Sequence, residues 1–135
     1  MPASITFSSN GSASAMVQDY NSANPKNPVN NTVQIFKRLT AGEKISEKIV
    51  KDSIIYLSAG IANIMHIFNP EMIIIGGGLS EAGDDFIKKI KEAVHQRAMI
   101  NSARNVLIKA ASLGNRAGLL GAAAFALQMR RQNEN

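Results

Sequence analysis

One stretch constrains this chain more than any other: Asn69-Pro70-Glu71-Met72-Ile73-Ile74-Ile75-Gly76-Gly77-Gly78-Leu79-Ser80. Pro70 ends the preceding helix at or before Asn69, because its ring disfavours helical backbone at the residue before it. Met72 to Ile75 is an unbroken apolar run. That pattern predicts a strand buried on both faces, as in parallel sheets covered by helices. The three glycines that follow remove every side chain where backbone would approach a ligand. In open α/β sheets, ligands sit beyond the carboxyl ends of the strands and near helix N-termini. The run therefore fits a nucleotide or sugar site. Taken alone, it also fits a tight strand-to-helix turn with no ligand.

The chain has 135 residues, enough for one domain with a real core, since 45% are hydrophobic and only 19% charged. The apolar residues are mostly Ala, Ile, Leu and Val, with aromatics at 5% and no Trp, which suits helices on a sheet better than a sandwich. The absence of cysteine excludes disulfides and thiolate metal sites. The N-terminus has no charged segment followed by an apolar stretch, and the apolar runs are broken by Gly, Asn, His or Ser. Neither a signal peptide nor a membrane partner is expected, and a cytoplasmic protein is the default. The net charge of +5 raises the question of nucleic acid, but no basic run exceeds two residues and no aromatics interleave with them. No nucleic-acid partner is expected.

Along the chain, Ser8 to Gly11 reads as a turn and Ser12 to Tyr20 as a short helix. Asn21 to Pro28 reads as a loop on its prolines and asparagines. Val33, Phe36 and Leu39 form a helical stripe that stops at Ala41-Gly42. The longest helix is predicted from about Ile45 to Phe68, with Ile45, Ile49, Val50, Ile54, Leu57, Ile61, Ile64, Met65 and Phe68 at helical spacing. After the strand and glycines, Ser80 with Glu81 and Asp84 opens another helix, whose apolar face is Phe86, Ile87, Ile90, Val94 and Ala98. Val106 to Ile108 reads as a second strand and Arg116 to Met129 as an Ala-rich last helix. The expected division is a short helix and Asn/Pro loop over 1–28, an α/β domain over 29–131 and a frayed tail over 132–135.

Two parallel strands make a poor sheet by themselves, so the pattern looks like half of a larger one. Residues 69–83, ending Gly76-Gly77-Gly78-Leu79-Ser80-Glu81-Ala82-Gly83, resemble the "NPxxIVIGGGVSxAG" segment of the ROK family of bacterial sugar kinases and sugar-responsive repressors. Ala111-Ser112-Leu113-Gly114-Asn115-Arg116-Ala117-Gly118 resembles the "ALGNDAG" segment near that family's end, and Ser9 to Ala13 its "ASGTA" helix start. The resemblance implies the C-terminal part of an actin-like ATPase, or sugar-kinase (ribonuclease H-like), fold, with parallel strands and flanking helices. It also implies that Gly76, Gly77 and Gly78 belong to an adenosine motif of an ATP site bordered by Leu79 and Ser80. Asn115 and Gly118 would shape the start of the last helix.

The chain has no DxGxT phosphate loop and no cysteine for the family's zinc and sugar loop, and Thr6 stands where a glutamate follows that loop. The expectation is the nucleotide-binding half of a ROK-type, glucokinase-like sugar kinase with no catalytic residue of its own. ATP is expected to bind weakly, and no zinc is expected. Alternatives are a non-catalytic ligand-binding or regulatory module and an inactive gene fragment. The expected partners are a second copy or a separate N-terminal half, and a small nucleotide or sugar. His66 is expected to pack in the long helix and His95 to face solvent. Glu81, Asp84 and Asp85 fit helix-start electrostatics better than a Mg²⁺ site.

Overall fold

The computed structural model describes residues 12 to 98 and 106 to 112. The elements run α1 (Ala13–Ala23), α2 (Thr32–Thr40), α3 (Lys44–Phe68), β1 (Met72–Ile75), a 3-10 turn (Gly77–Ala82), α4 (Asp84–Arg97) and β2 (Leu107–Ala110). The turn expected at 8–11 and the last helix expected over 116–129 lie outside the described residues.

Helix α1 begins where the sequence placed it, because the Ser12 hydroxyl accepts the Ala15 N–H at 3.2 Å and caps the first turn. It runs on to Ala23, three residues past its expected end, into the segment read as loop. Asn21 explains the extension. Its side-chain amide donates to the Val29 carbonyl at 3.0 Å and accepts the Val29 N–H at 2.7 Å, so a residue that usually marks a loop clamps the loop that follows. In α2 the buried positions are Thr32 and Ile35, while Val33 of the expected stripe is exposed.

Helix α3 packs against α1, α2 and α4. Ser58 and Ala62 are buried on it, giving the slender face that close helix contact needs. Its last turn leaves the core: His66, Ile67 and Phe68 are exposed. This corrects the burial expected of His66, though not its having an interaction partner, and the place of Phe68 in the buried stripe. Asn69 ends the helix in left-handed backbone at φ 42°, its N–H bonded to the Met65 carbonyl. His95 is exposed, as expected.

Strands β1 and β2 pair in parallel, with Met72 opposite Leu107 and Ile75 opposite Ala110. Ile75 and Ile108 enter the core, but Met72, Ile74 and Leu107 are exposed. The strand is therefore buried on one face, against the expected two, because helices of the described chain cover only that face. Helix α4 starts at Asp84 and not at Ser80, since Gly83 at φ 90° cannot sit inside a right-handed helix and separates it from the 3-10 turn. Its expected apolar face is the buried one, and Phe86 meets Phe36 of α2 edge to face with ring centroids 5.1 Å apart.

A polar cluster ties the α1 end to the α2–α3 turn. The fully buried Tyr20 donates its hydroxyl to the Glu43 carboxylate at 2.9 Å, and Arg38 donates to the same phenol oxygen and to the Asn27 carbonyl at 2.8 Å. The Ser46 hydroxyl also donates to Glu43.

Candidate functional site: the glycine turn

The carboxyl ends of both strands converge on the glycine turn, and its three glycines differ in what holds them. Gly77 adopts φ 70°, a left-handed conformation that glycine takes at no steric cost. Gly78 is held by packing: a Cβ there would stand 2.8 Å from the Cβ of Ala13 in α1. Gly76 is under neither constraint. Its backbone is extended at φ −111° and ψ −172°, and among the described residues the nearest atom to an added Cβ is that of Ala111, at 4.0 Å. Gly76 and Gly77 are both exposed, so two consecutive peptide units present bare backbone at the sheet's carboxyl end.

The other two expected site residues are turned inward or back on the turn. Leu79 is buried in the core cluster, which anchors the turn to the domain. The Ser80 hydroxyl donates to the Gly77 carbonyl at 2.7 Å and closes the 3-10 turn. The Thr32 hydroxyl, at the first residue of α2, donates to the Gly78 carbonyl at 3.1 Å. Gly76, Gly77, Gly78 and Ser80 thus form one local unit, with Leu79 as its root.

Beside this unit lies a depression of about 490 Å³ between α1, the α2 start and the turn. Its lining includes Ser14, Gln18, Asn30, Thr32, Gly78 and Glu81. Its side chains offer hydroxyls, amides and the Glu81 carboxylate for hydrogen bonding, and among the described residues no cation lines it. Such a surface suits an uncharged polar group better than an anion, since its described lining carries no positive charge. The α1 and α2 residues of this wall were not among the expected site residues. The sequence signal for them is Asn30-Asn31-Thr32, a helix-start pattern that places three polar residues at one helix end.

A second depression of about 430 Å³ between α1 and α3 is lined by Met16, Asp19, Lys48, Asp52, Ser53 and Tyr56, among others, and includes no residue of the turn. Lys48 and Asp52 pair across its edge at 3.0 Å. Among the described residues no three His, Asp or Glu side chains gather as metal ligands, and no helix is long and apolar enough to cross a membrane.

The chain is similar to proteins of one family across nearly its whole length. The profile of the ROK family matches residues 7–129. The glucokinase of Halalkalibacterium halodurans is 37% identical over 87 residues, covering 64% of this chain and 26% of that protein. The xylose repressor of Caldicellulosiruptor bescii is 32% identical over 94 residues, covering 70% of this chain and 24% of that one. Among solved structures, the ROK hexokinase of Thermus thermophilus superposes with a TM-score of 0.68 at 28% identity, over 85% of this chain and 39% of its own. The ROK family glucokinase of Streptomyces griseus, solved with glucose and AMPPNP, superposes with a TM-score of 0.73 at 24% identity, over 88% of this chain and 43% of its own. This chain therefore spans about a quarter of the length of those two sequence relatives and about two-fifths of the solved chains. Its α/β fold is that of the ROK sugar kinases, the actin-like ATPase fold. On the family match and this shared architecture, the chain belongs to the ROK family.

Proposed function

We propose that this chain is the nucleotide-binding half of a ROK-type sugar kinase, and that the nucleoside end of ATP lies over Gly76–Gly77 against the depression formed by α1 and α2. The observation that carries this reading is Gly76. Neither its backbone angles nor its neighbours among the described residues require a glycine, and a side chain there would cover the bare peptides at the end of β1. A flat base approaches main chain closely only where no Cβ intervenes. Glucokinases among the relatives and a glucokinase structure holding AMPPNP support ATP as the nucleotide. ATP, when bound, supplies the phosphoryl group; this chain's own residues bind and orient its adenosine.

The test is a titration of ATP into the parent chain and Gly76→Val. Valine is at ease in extended backbone, so the variant keeps the fold while covering the peptides. Binding in the parent and its loss in the variant is the expected outcome. Equal affinity in both would overturn the assignment.

The xylose repressor relative favours a second reading, a non-catalytic module that binds a ligand and regulates. Either reading leaves an exposed apolar strand face, Met72, Ile74 and Leu107, and the proposed partner for that face is a second copy of the chain.

A further inference from the structure

Thr32 opens α2, yet its hydroxyl has no duty in its own helix. Asn31 caps that helix by accepting the Gln34 N–H at 3.0 Å. The Thr32 hydroxyl instead crosses to the glycine turn and donates to the Gly78 carbonyl at 3.1 Å, between residues 46 positions apart in sequence. Thr32 is 3% exposed and Gly78 half-buried, so the donor side of this bond is shielded from competing water. On its α1 side, Gly78 is bounded by Ala13, whose Cβ leaves no room for a side chain on the glycine. Two helices therefore hold Gly78, one by a hydrogen bond and one by contact.

We infer that Thr32 is a positioning residue of the nucleotide site: its hydroxyl fixes the Gly78 carbonyl, and through it the pose of Gly76 and Gly77. The inference rests on the nucleotide reading above. Consecutive glycines have the largest conformational freedom of any backbone, and a turn that is ordered only on ligand arrival loses affinity to that ordering. A bond made before the ligand arrives removes the loss. Thr32 also lines the adjoining depression, but its hydroxyl proton is committed to the Gly78 carbonyl, so the effect of that hydroxyl on binding passes through the turn.

The test compares ATP affinity in Thr32→Val, Thr32→Ser, Gly76→Val and the parent chain, well below the melting temperature, with backbone amide spectra recorded in parallel. Valine keeps the branched shape of threonine and removes only the hydroxyl; serine keeps the hydroxyl. Thr32→Val should bind ATP about five- to tenfold more weakly, the scale of one lost hydrogen bond from a shielded hydroxyl. Thr32→Ser should stay within about twofold of the parent, and the amides of Gly76 to Gly78 should shift in Thr32→Val before any ligand is added. Should the valine variant not fold, Thr32→Ala removes the hydroxyl without adding a methyl and is read in the same way. A folded Thr32→Val with a lowered melting temperature but parental affinity would show a purely structural role and overturn the inference. If Gly76→Val loses binding while Thr32→Val retains it, only the role of Thr32 falls. If Gly76→Val also binds like the parent, the site assignment falls and the inference with it.

Discussion

Gly78 and Ala13 are matched to each other: a Cβ built on Gly78 would lie 2.8 Å from the Cβ of Ala13, well inside the ~3.5–4.0 Å at which carbon atoms pack. The start of α1 and the glycine turn are far apart in sequence, yet each sets the other's side-chain size. Gly78→Ala should destabilise the domain by about 1–3 kcal/mol, the usual cost of overpacking. Ala13→Gly alone should cost less than about 1 kcal/mol, from helix propensity. The double variant should recover part of the Gly78→Ala loss, and a denaturant double-mutant cycle measures that coupling. Strict additivity would show that the two residues do not meet.

The Tyr20–Glu43–Arg38 cluster predicts how stability responds to acid. The Ser46 hydroxyl, with help from Tyr20 and Arg38, holds the Glu43 carboxyl below its ordinary value of 4.5. A folded-state pKa below the unfolded one contributes stability that is fully present above the unfolded value and lost as pH falls through the folded one. The melting temperature should therefore fall as pH drops through and below the ordinary glutamate range. Glu43→Gln should be less stable than the parent near neutral pH, and the difference should shrink as pH is lowered below that range. Parallel melting curves at every pH would contradict the linkage.

Met72 and Leu107 stand opposite each other, with Ile74 beyond them at 63% exposed, on a strand face that the described residues do not cover. Burying several such side chains contributes on the order of several kcal/mol. The expected outcome is self-association at micromolar concentration, most simply as a two-fold dimer. Ile74→Glu should shift the population to monomer by light scattering. A folded parent chain that scatters as a monomer at that concentration would count against the face as a dimer surface.

The purified chain should show no ATP-dependent glucose phosphorylation. Phosphoryl transfer depends on a phosphate-cradling loop, a metal and a base. The sequence carries no DxGxT motif and no cysteine for a zinc and sugar loop. A coupled assay that detects turnover, and that survives removal of host kinases, would contradict the reading.

Much of this architecture was legible from residue spacing. The α3 stripe, the Pro70 stop and the β1–turn–α4–β2 order follow from periodicities that packing then obeys, and Phe86, Ile87, Ile90 and Val94 are buried as their spacing requires. What spacing does not encode is which side has a neighbour. The all-apolar run Met72–Ile75 predicts two covered faces, and Phe68 continues a perfect stripe, yet Met72, Ile74 and Phe68 are exposed. At the candidate site, the glycines were visible as a motif, but their separate reasons were not. Gly77 is set by a dihedral angle, Gly78 by a helix start more than sixty residues away in sequence, and Gly76 by neither. Thr32 carries no such signal in the sequence, because a threonine at a helix start already has a local explanation, and only the fold shows its hydroxyl turned to Gly78.

A backbone amide titration of the folded chain with adenosine and with ATP reads directly whether the glycine turn receives the nucleoside of ATP. Both ligands should shift the amides of Gly76 to Gly78 first. Both should bind with dissociation constants of roughly high micromolar to millimolar, about −4 to −5 kcal/mol. They should agree closely, because among the described residues no cation lines the adjoining depression to reward the phosphates. Shifts centred elsewhere, or ATP bound far more tightly than adenosine, would contradict that assignment.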